Sequence, residues 1–120
     1  MSRTDAERLR DALDHLAVLE RHASRGDVDD QLVLDAVSLR LAAAIEVLAG
    51  LDPGVRDRVT GGRWHLVWAT RNRIAHGYAL VDGAVIRATV DRDLPAFRSS
   101  VAAELARLTD GGGLPMPGNS

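Results

Sequence analysis

Apolar residues recur at three- and four-residue steps along much of the chain, the spacing expected for one face of an α-helix. The first stripe consists of Leu9, Leu13, Leu16, Leu19 and Ala23. It follows Thr4-Asp-Ala-Glu7, a capping-box pattern in which each end residue binds the other's backbone. Gly26 is a typical stop signal. The sequence therefore predicts a first helix that starts after Thr4 and ends before Gly26.

A second stripe predicts a helix over residues 29–49. It consists of Val33, Val37, Leu41, Ala44, Ile45 and Leu48. Further apolar residues, Leu34 and Leu39, widen the apolar surface of this helix. A helix that is apolar around much of its circumference is expected to pack on more than one side.

Breaks and caps then divide the next part of the chain. Asp52-Pro53 is a helix start, with Asp as the cap and Pro in the first turn. Gly61-Gly62 interrupts the helix, and a third long helix is predicted from about Arg63 to Gly77. Its expected core-facing residues are Trp64, Val67, Trp68 and Ala75.

The C-terminal part is predicted to hold one more long helix. "VDGAVI", residues 81–86, is interpreted as a turn and a short extended piece, and the last helix starts at Asp93-Leu94-Pro95. A glycine- and proline-rich tail, 110–120, is expected to be flexible. The predicted fold is all-α: an antiparallel bundle of four to five helices over residues 1–109.

Composition fits a single soluble domain. Of 120 residues, 46% are hydrophobic and 27% are charged, which favours a globular chain. Cysteine is absent, so disulfides and thiolate chemistry are excluded. The charged N-terminus does not resemble a signal peptide, and no apolar run approaches the roughly 20 residues of a membrane helix. A cytoplasmic location is expected.

Positive charge is concentrated in one segment. The net charge of the chain is −2, yet residues 56–78 contain five arginines and one acid. Such a local excess of positive charge favours an anionic ligand such as a phosphate. The alternative explanation is that the arginines cluster by chance in this short segment.

The same segment contains "RNRIAHGY", in which Arg71 and His76 are five residues apart. A functional interpretation has Arg71 bind a phosphate and His76 transfer protons, because imidazole titrates near neutral pH. A purely structural interpretation has Arg71 pair with Glu46, an acid in the apolar run "AAAIEVLAG", while His76 caps the helix end. The spacing alone slightly favours the structural interpretation.

The neighbouring polar residues allow both interpretations. Asn72 either supports a substrate or is a solvated surface residue, and Tyr78 is either a half-buried anchor or an exposed hydroxyl beside the site. The remaining histidines have no metal-ligand spacing, so no metal or cofactor is expected.

The segment resembles the RX4HXY motif of HepT-like ribonuclease toxins in the HEPN superfamily, with Arg71, His76 and Tyr78 at the motif positions. The resemblance extends to "WHLVWATRNRIAHGYALVD", "DRDLPAFRSSVAAEL" and "LDAVSLRLAAAIEVLAGL", and covers most of residues 5–108. In the last block Glu46 matches an acid of the family, whereas Ile45 replaces the family's usual glycine.

This resemblance implies a homodimeric HEPN-like bundle with Arg71 and His76 at a cleft shared by two protomers. It implies a toxin that cleaves RNA without a metal, with Asn72 and Glu46 in supporting positions. It also implies an MntA-type nucleotidyltransferase antitoxin that silences the toxin by transferring AMP to Tyr78. Two alternatives stay open: a non-catalytic HEPN module that only binds such a nucleotidyltransferase, and a structural helical dimer.

Overall fold

The computed structural model describes residues 3–27, 30–77 and 83–113, and these residues form helices and turns with no strand among them. The helices are α1 (Asp5–Ala23), α2 (Gln31–Leu48), α3 (Pro53–Thr60), α4 (Trp64–Gly77), α5 (Gly83–Ala88) and α6 (Leu94–Gly113). A π-helical turn, Thr89–Asp93, joins α5 to α6. The prediction of an all-α bundle is confirmed.

The predicted helix starts of α1 and α3 are present. The hydroxyl of Thr4 accepts a hydrogen bond from the Glu7 amide at 3.1 Å, and the Glu7 carboxylate accepts one from the Thr4 amide at 2.7 Å. The hydrogen bond that the Thr4 amide donates to the Glu7 carboxylate is the main cause that holds the pKa of Glu7 below its ordinary value. Asp52 caps α3 in the same way, because its carboxylate accepts from the Gly54 amide at 3.0 Å.

Helix α2 packs against α1, α4 and α5 and contributes Val37, Leu41 and Ile45 to the core. Part of its apolar surface is nevertheless uncovered. Leu39 is 68% exposed and Leu32 is 77% exposed. The prediction that α2 packs on more than one side is confirmed, although these two residues stay uncovered within one protomer.

A left-handed turn sets the direction in which α4 leaves α3. Gly61 has φ 59° and Gly62 has φ 78°, values that favour glycine because a side chain would be strained there. In α4 the indole rings of Trp64 and Trp68 stack with their centroids 5.5 Å apart. The core-facing residue near the end of α4 is Ile74, whereas Ala75, predicted to face the core, is exposed.

The last helical region begins ten residues earlier than predicted. Residues 83–86 were expected to be part of a turn and extended piece, but they begin α5, and Ile86 is buried in the core. The chain then continues through the π-helical turn, where the Leu94 amide donates to the Thr89 carbonyl. Pro95 follows this wider turn directly, and such a turn accommodates the missing proline amide without ending the helix.

The C-terminal boundary also differs from the expected one. Helix α6 runs to Gly113, four residues beyond the predicted domain end at residue 109. Residues 114–120, most of the predicted flexible tail, lie outside the described residues. The division into a domain and a tail stays a prediction.

Candidate active site

A groove between α2 and α4 brings two of the predicted site residues together. It has a volume of about 440 Å³. We call it the α2–α4 groove, and it is lined by Leu34, Asp35, Ser38, Leu39, Ala42, Ala43, Glu46, Arg71, Ile74 and Ala75. Its walls are largely apolar, and its charged groups are Asp35, Glu46 and Arg71. Among the residues that the structure describes, Arg71 is therefore the only cation that lines this groove.

The guanidinium of Arg71 forms a two-point ion pair with Glu46 across this groove. Its Nε donates to Glu46 Oε2 at 2.9 Å, and its Nη2 donates to Oε1 at 3.0 Å. A fork of this kind fixes the plane of the guanidinium as well as its position. The pairing of Arg71 with Glu46 that the sequence suggested is present.

The pair is more exposed than expected. The Arg71 side chain is 23% exposed and that of Glu46 is 52% exposed. Because a solvent-exposed ion pair contributes only about 0–1 kcal/mol to stability, this pair is not the buried structural bridge that the apolar surroundings suggested. Its stronger effect is to hold the guanidinium in one place at the edge of the groove.

Two further contacts orient Arg71 from within its own helix. The Arg71 Nη1 donates to the side-chain oxygen of Asn72 at 3.2 Å. The guanidinium carbon lies 4.7 Å from the centre of the Trp68 ring, a cation–π distance. The sequence predicted Trp68 as a core-facing residue, and its contact with Arg71 was not predicted. The three-residue spacing from Trp68 to Arg71, which places side chains side by side on a helix, was the available signal.

The three hydrogen bonds leave some N–H donors of the Arg71 guanidinium available to a ligand. An arginine side chain has five N–H donors, and Glu46 and Asn72 occupy three of them. The remaining two N–H groups belong to the terminal nitrogens. Arg71 is thus held by its partners and still has donors for an oxyanion.

His76 is placed differently. It is exposed in the last turn of α4, and its imidazole makes no hydrogen bond or ion pair with the described part of the chain. The helix-capping contact of the structural interpretation is therefore not found there. Five residues of α-helix separate the Arg71 and His76 positions by about 140° around the axis and about 7.5 Å along it. One protomer does not bring the two side chains to the same side of α4.

The remaining predicted site residue, Tyr78, lies outside the described residues. Residues 3–27, 30–77 and 83–113 contain no group of three or more His, Cys, Asp or Glu side chains arranged to hold a metal ion. None of the helices in these ranges is long and apolar enough to cross a membrane.

Comparison with known families decides the classification. A family model described as ribonuclease HepT-like matches residues 7–103. The chain belongs to the HepT-like ribonuclease family. The resemblance of the chain to this family is thereby confirmed, and the matched region contains Glu46, Arg71, Asn72 and His76. No curated protein and no solved structure matches the chain.

Membership of the HepT-like ribonuclease family also indicates a class of reaction. The family's description names a ribonuclease, so ribonuclease chemistry is supported at the level of the family. The roles of individual residues in this chain are not part of that match. They have to be argued from the geometry of Arg71 and the exposure of His76.

Proposed function

We propose that this protein is a metal-independent endoribonuclease in which Arg71 and His76 are the catalytic residues. The observation that carries the proposal is the geometry of Arg71. Its guanidinium is fixed by Glu46, Asn72 and Trp68 at an open groove, yet keeps two N–H donors for a phosphate. A cation held in advance where negative charge develops is an effective way to stabilise a transition state.

The reaction requires a proton acceptor as well as this charge. In RNA the 2′-hydroxyl attacks the adjacent phosphorus once its proton is removed, and the bond from phosphorus to the 5′-oxygen breaks. The products are a 2′,3′-cyclic phosphate and a strand with a 5′-hydroxyl. His76 accepts the 2′-hydroxyl proton, and a second imidazole returns a proton to the 5′-oxygen. Arg71 donates to the non-bridging oxygens of the phosphorane.

A homodimer supplies the second imidazole. Within one protomer His76 and Arg71 lie about 140° apart around α4, so a complete site needs groups from another copy. Exposed apolar residues on the same side of the molecule favour such an association: Leu32 and Leu39 on α2 are uncovered, and Leu39 lines the groove that contains Arg71. The proposed dimer joins these α2–α4 faces and places Arg71 and His76 of both protomers at one cleft.

The proposed biological role is that of a toxin controlled by an MntA-type nucleotidyltransferase antitoxin. Tyr78 follows His76 by two residues, so an AMP group on its hydroxyl would add bulk and negative charge beside the catalytic imidazole. RNA would then be excluded by repulsion and by sterics. Incubation with the partner and ATP, followed by mass spectrometry, should locate AMP on Tyr78 and on no residue of a Tyr78→Phe variant. Modification elsewhere refutes this mode of silencing.

A second candidate function is a non-catalytic module that only binds the nucleotidyltransferase. The pairing of Arg71 with Glu46 favours it, because a carboxylate already occupies two donors of the proposed catalytic cation. The two candidates differ in whether RNA is cleaved at all.

The test is cleavage of labelled single-stranded RNA by the purified protein in EDTA, with analysis of the product ends. We expect cleavage with cyclic-phosphate and 5′-hydroxyl ends, at a rate that EDTA does not lower. Loss of cleavage in EDTA that added magnesium restores contradicts the metal-independent mechanism. The absence of cleavage under any of these conditions, together with tight binding of the nucleotidyltransferase, identifies the non-catalytic module.

A further inference from the structure

A second cleft lies beside the N-terminal half of α4, between this helix, α3 and the start of α6. Its volume is about 620 Å³. We call it the α4–α6 cleft. Its floor is apolar and includes Leu41, Ile45 and Phe97, and its rim carries Arg58, Arg63 and Arg92. One acid, Asp93, is among its lining residues. The rim therefore has an excess of positive charge that the Arg71 site does not use.

Two of these arginines are available to a ligand. Arg58 is already bound to Glu104, with its Nε 3.0 Å from Oε2. Arg63 and Arg92 are exposed, and neither guanidinium makes a hydrogen bond or ion pair with any residue in the described ranges. Exposed and unpaired guanidiniums on the two sides of one cleft are suited to bind phosphate oxygens.

The threonine hydroxyls that line the cleft already donate hydrogen bonds to the protein backbone. The hydroxyls of Thr60, Thr70 and Thr89 each donate to the backbone carbonyl four residues earlier. Their single protons are thus used within the helices. Among the described residues that line the cleft, the guanidiniums of Arg63 and Arg92 and the hydroxyl of Ser100 are the main donors that remain for an anion.

The position of the cleft indicates which phosphates it binds. Helix α4 carries Arg63, Thr70 and the exposed Arg73 along one side and ends near His76. Arg63 and His76 are thirteen residues apart, which is about 20 Å along the helix axis. The same thirteen residues place the two positions about 140° apart around the axis. A strand cleaved at His76 therefore has to wind partly around α4 to reach the cleft, several nucleotides from the scissile bond.

We propose that the α4–α6 cleft binds the phosphate backbone of the RNA substrate at a distance from the cleaved bond, through Arg63 and Arg92. This inference rests on the proposed ribonuclease function and extends it. It assigns the cleft a role in holding long substrates, and it separates binding of the strand from the chemistry at Arg71 and His76.

The test measures RNA binding in a protein that cannot cleave. In a His76→Ala background, the affinity for a fluorescein-labelled, unstructured 12-nucleotide RNA is measured by anisotropy over a series of salt concentrations. Arg63→Gln and Arg92→Gln are compared with Arg10→Gln, which removes the same charge from an exposed position on α1 outside the cleft. Asp93→Asn removes the opposing charge from the rim.

We expect Arg63→Gln and Arg92→Gln each to weaken binding by about three- to tenfold and Arg10→Gln to change it by less than twofold. Each lost phosphate contact should lower the slope of log K against log salt by about 0.7. Asp93→Asn should tighten binding, an effect that partial unfolding does not produce. Equal affinities for the Arg63, Arg92 and Arg10 variants overturn the proposal.

Two further measurements distinguish RNA binding by the cleft from the ribonuclease function itself and from binding of a mononucleotide. With His76 restored, Arg63→Gln should raise KM for the 12-nucleotide RNA and leave cleavage of a tetranucleotide unchanged. If the wild type cleaves RNA and neither Arg63→Gln nor Arg92→Gln changes binding or KM, the proposed role of the cleft is wrong and the ribonuclease function stands. If the wild type neither binds nor cleaves RNA, both the ribonuclease function and the role of the cleft are wrong. If AMP binds as tightly as the RNA and with the same dependence on Arg63 and Arg92, the cleft is a mononucleotide pocket and not an RNA path.

Discussion

At the scale of single residues, the site depends on how Arg71 is held. Glu46 comes from α2, while Trp68 and Asn72 come from Arg71's own helix. Each partner fixes a different degree of freedom: Glu46 fixes the plane, Asn72 fixes one terminal nitrogen, and the Trp68 ring covers one face. The arrangement depends on the shape of a guanidinium and not only on its charge.

Arg71→Lys tests this dependence on shape. A lysine keeps the positive charge but lacks the planar fork that binds Glu46 at two points and holds further donors in fixed positions for a phosphate. We expect RNA cleavage to fall by about a hundredfold, the usual effect of losing a preorganised donor to a transition-state oxyanion. The stability should change by no more than about 1 kcal/mol, because the Arg71–Glu46 pair is partly exposed.

The matched control is Arg73→Lys, the same substitution two residues further along α4 at an exposed position. It should leave the cleavage rate within about threefold of the wild type, an allowance for altered contacts of a surface cation whose charge is kept. Equal loss in both variants contradicts a specific role for Arg71.

Sequence reasoning was able to find some of these contacts because charge complementarity is visible in the chain. Glu46 is a lone acid in an apolar run, and it pairs with Arg71 as predicted. The contact with Trp68 and the exposure of the pair were not predicted. Both depend on where α4 lies against α2, which no local pattern specifies.

At the scale of elements, local signals were reliable and signals that depend on packing were not. The capping box at Thr4 and the cap at Asp52 form as predicted, because each joins residues two or three positions apart. Residues 83–86 are helical instead because Ile86 is buried in the core, which no local signal indicates. Tertiary packing decided the conformation of this β-branched, glycine-containing segment.

Gly61 is the element-scale position with the clearest conformational requirement. It ends α3 with φ 59°, and a Cβ there meets no other atom within 4 Å, so any cost of substitution is in the backbone and not in packing. Gly61→Ala should lower the free energy of unfolding by about 1 kcal/mol, the cost of a left-handed alanine. Gly61→Asn should lower it less, since asparagine tolerates this conformation. Chemical denaturation measures both, and equal stability of all three proteins contradicts the assigned turn.

At the scale of the whole molecule, Glu104 joins α6 to α3. Its carboxylate is 6% exposed and accepts from Arg107 at 2.6 Å and from Arg58 at 3.0 Å. The hydrogen bond from Arg107, with a further one from Arg58, holds the pKa of Glu104 below its ordinary value despite burial. Nothing in the spacing of the α6 stripe indicated that an acid would be buried there.

The lowered pKa of Glu104 predicts how the stability depends on pH. A carboxylate whose pKa is lower in the folded state contributes its full stability above the pKa of the unfolded chain, near 4.3. This contribution is lost as the pH falls through the lower, folded value. Glu104→Gln should therefore be less stable than the wild type by about 1–3 kcal/mol at pH 7, and the difference should shrink below about pH 4. A difference that stays constant from pH 7 to acid contradicts this account.

The proposed dimer is a second property of the whole molecule. Leu39 is exposed beside the α2–α4 groove, so Leu39→Glu should place a charge in the dimer interface and shift the protein to a monomer. RNA cleavage should fall with it, because the site needs both protomers. Val85→Glu, at an exposed apolar residue on α5, is the control and should stay dimeric. Multi-angle light scattering gives both masses, and a monomeric wild type that cleaves RNA contradicts the shared cleft.

The most direct measurement of the central claim compares two histidines on one helix. His65 and His76 are both exposed on α4, near its opposite ends. In a single-turnover assay of RNA cleavage, His76→Ala should lower the rate by 10²- to 10⁴-fold, the usual contribution of a general acid or base, whereas His65→Ala should match the wild type. A His76→Ala protein that cleaves RNA as fast as the His65→Ala protein contradicts the account.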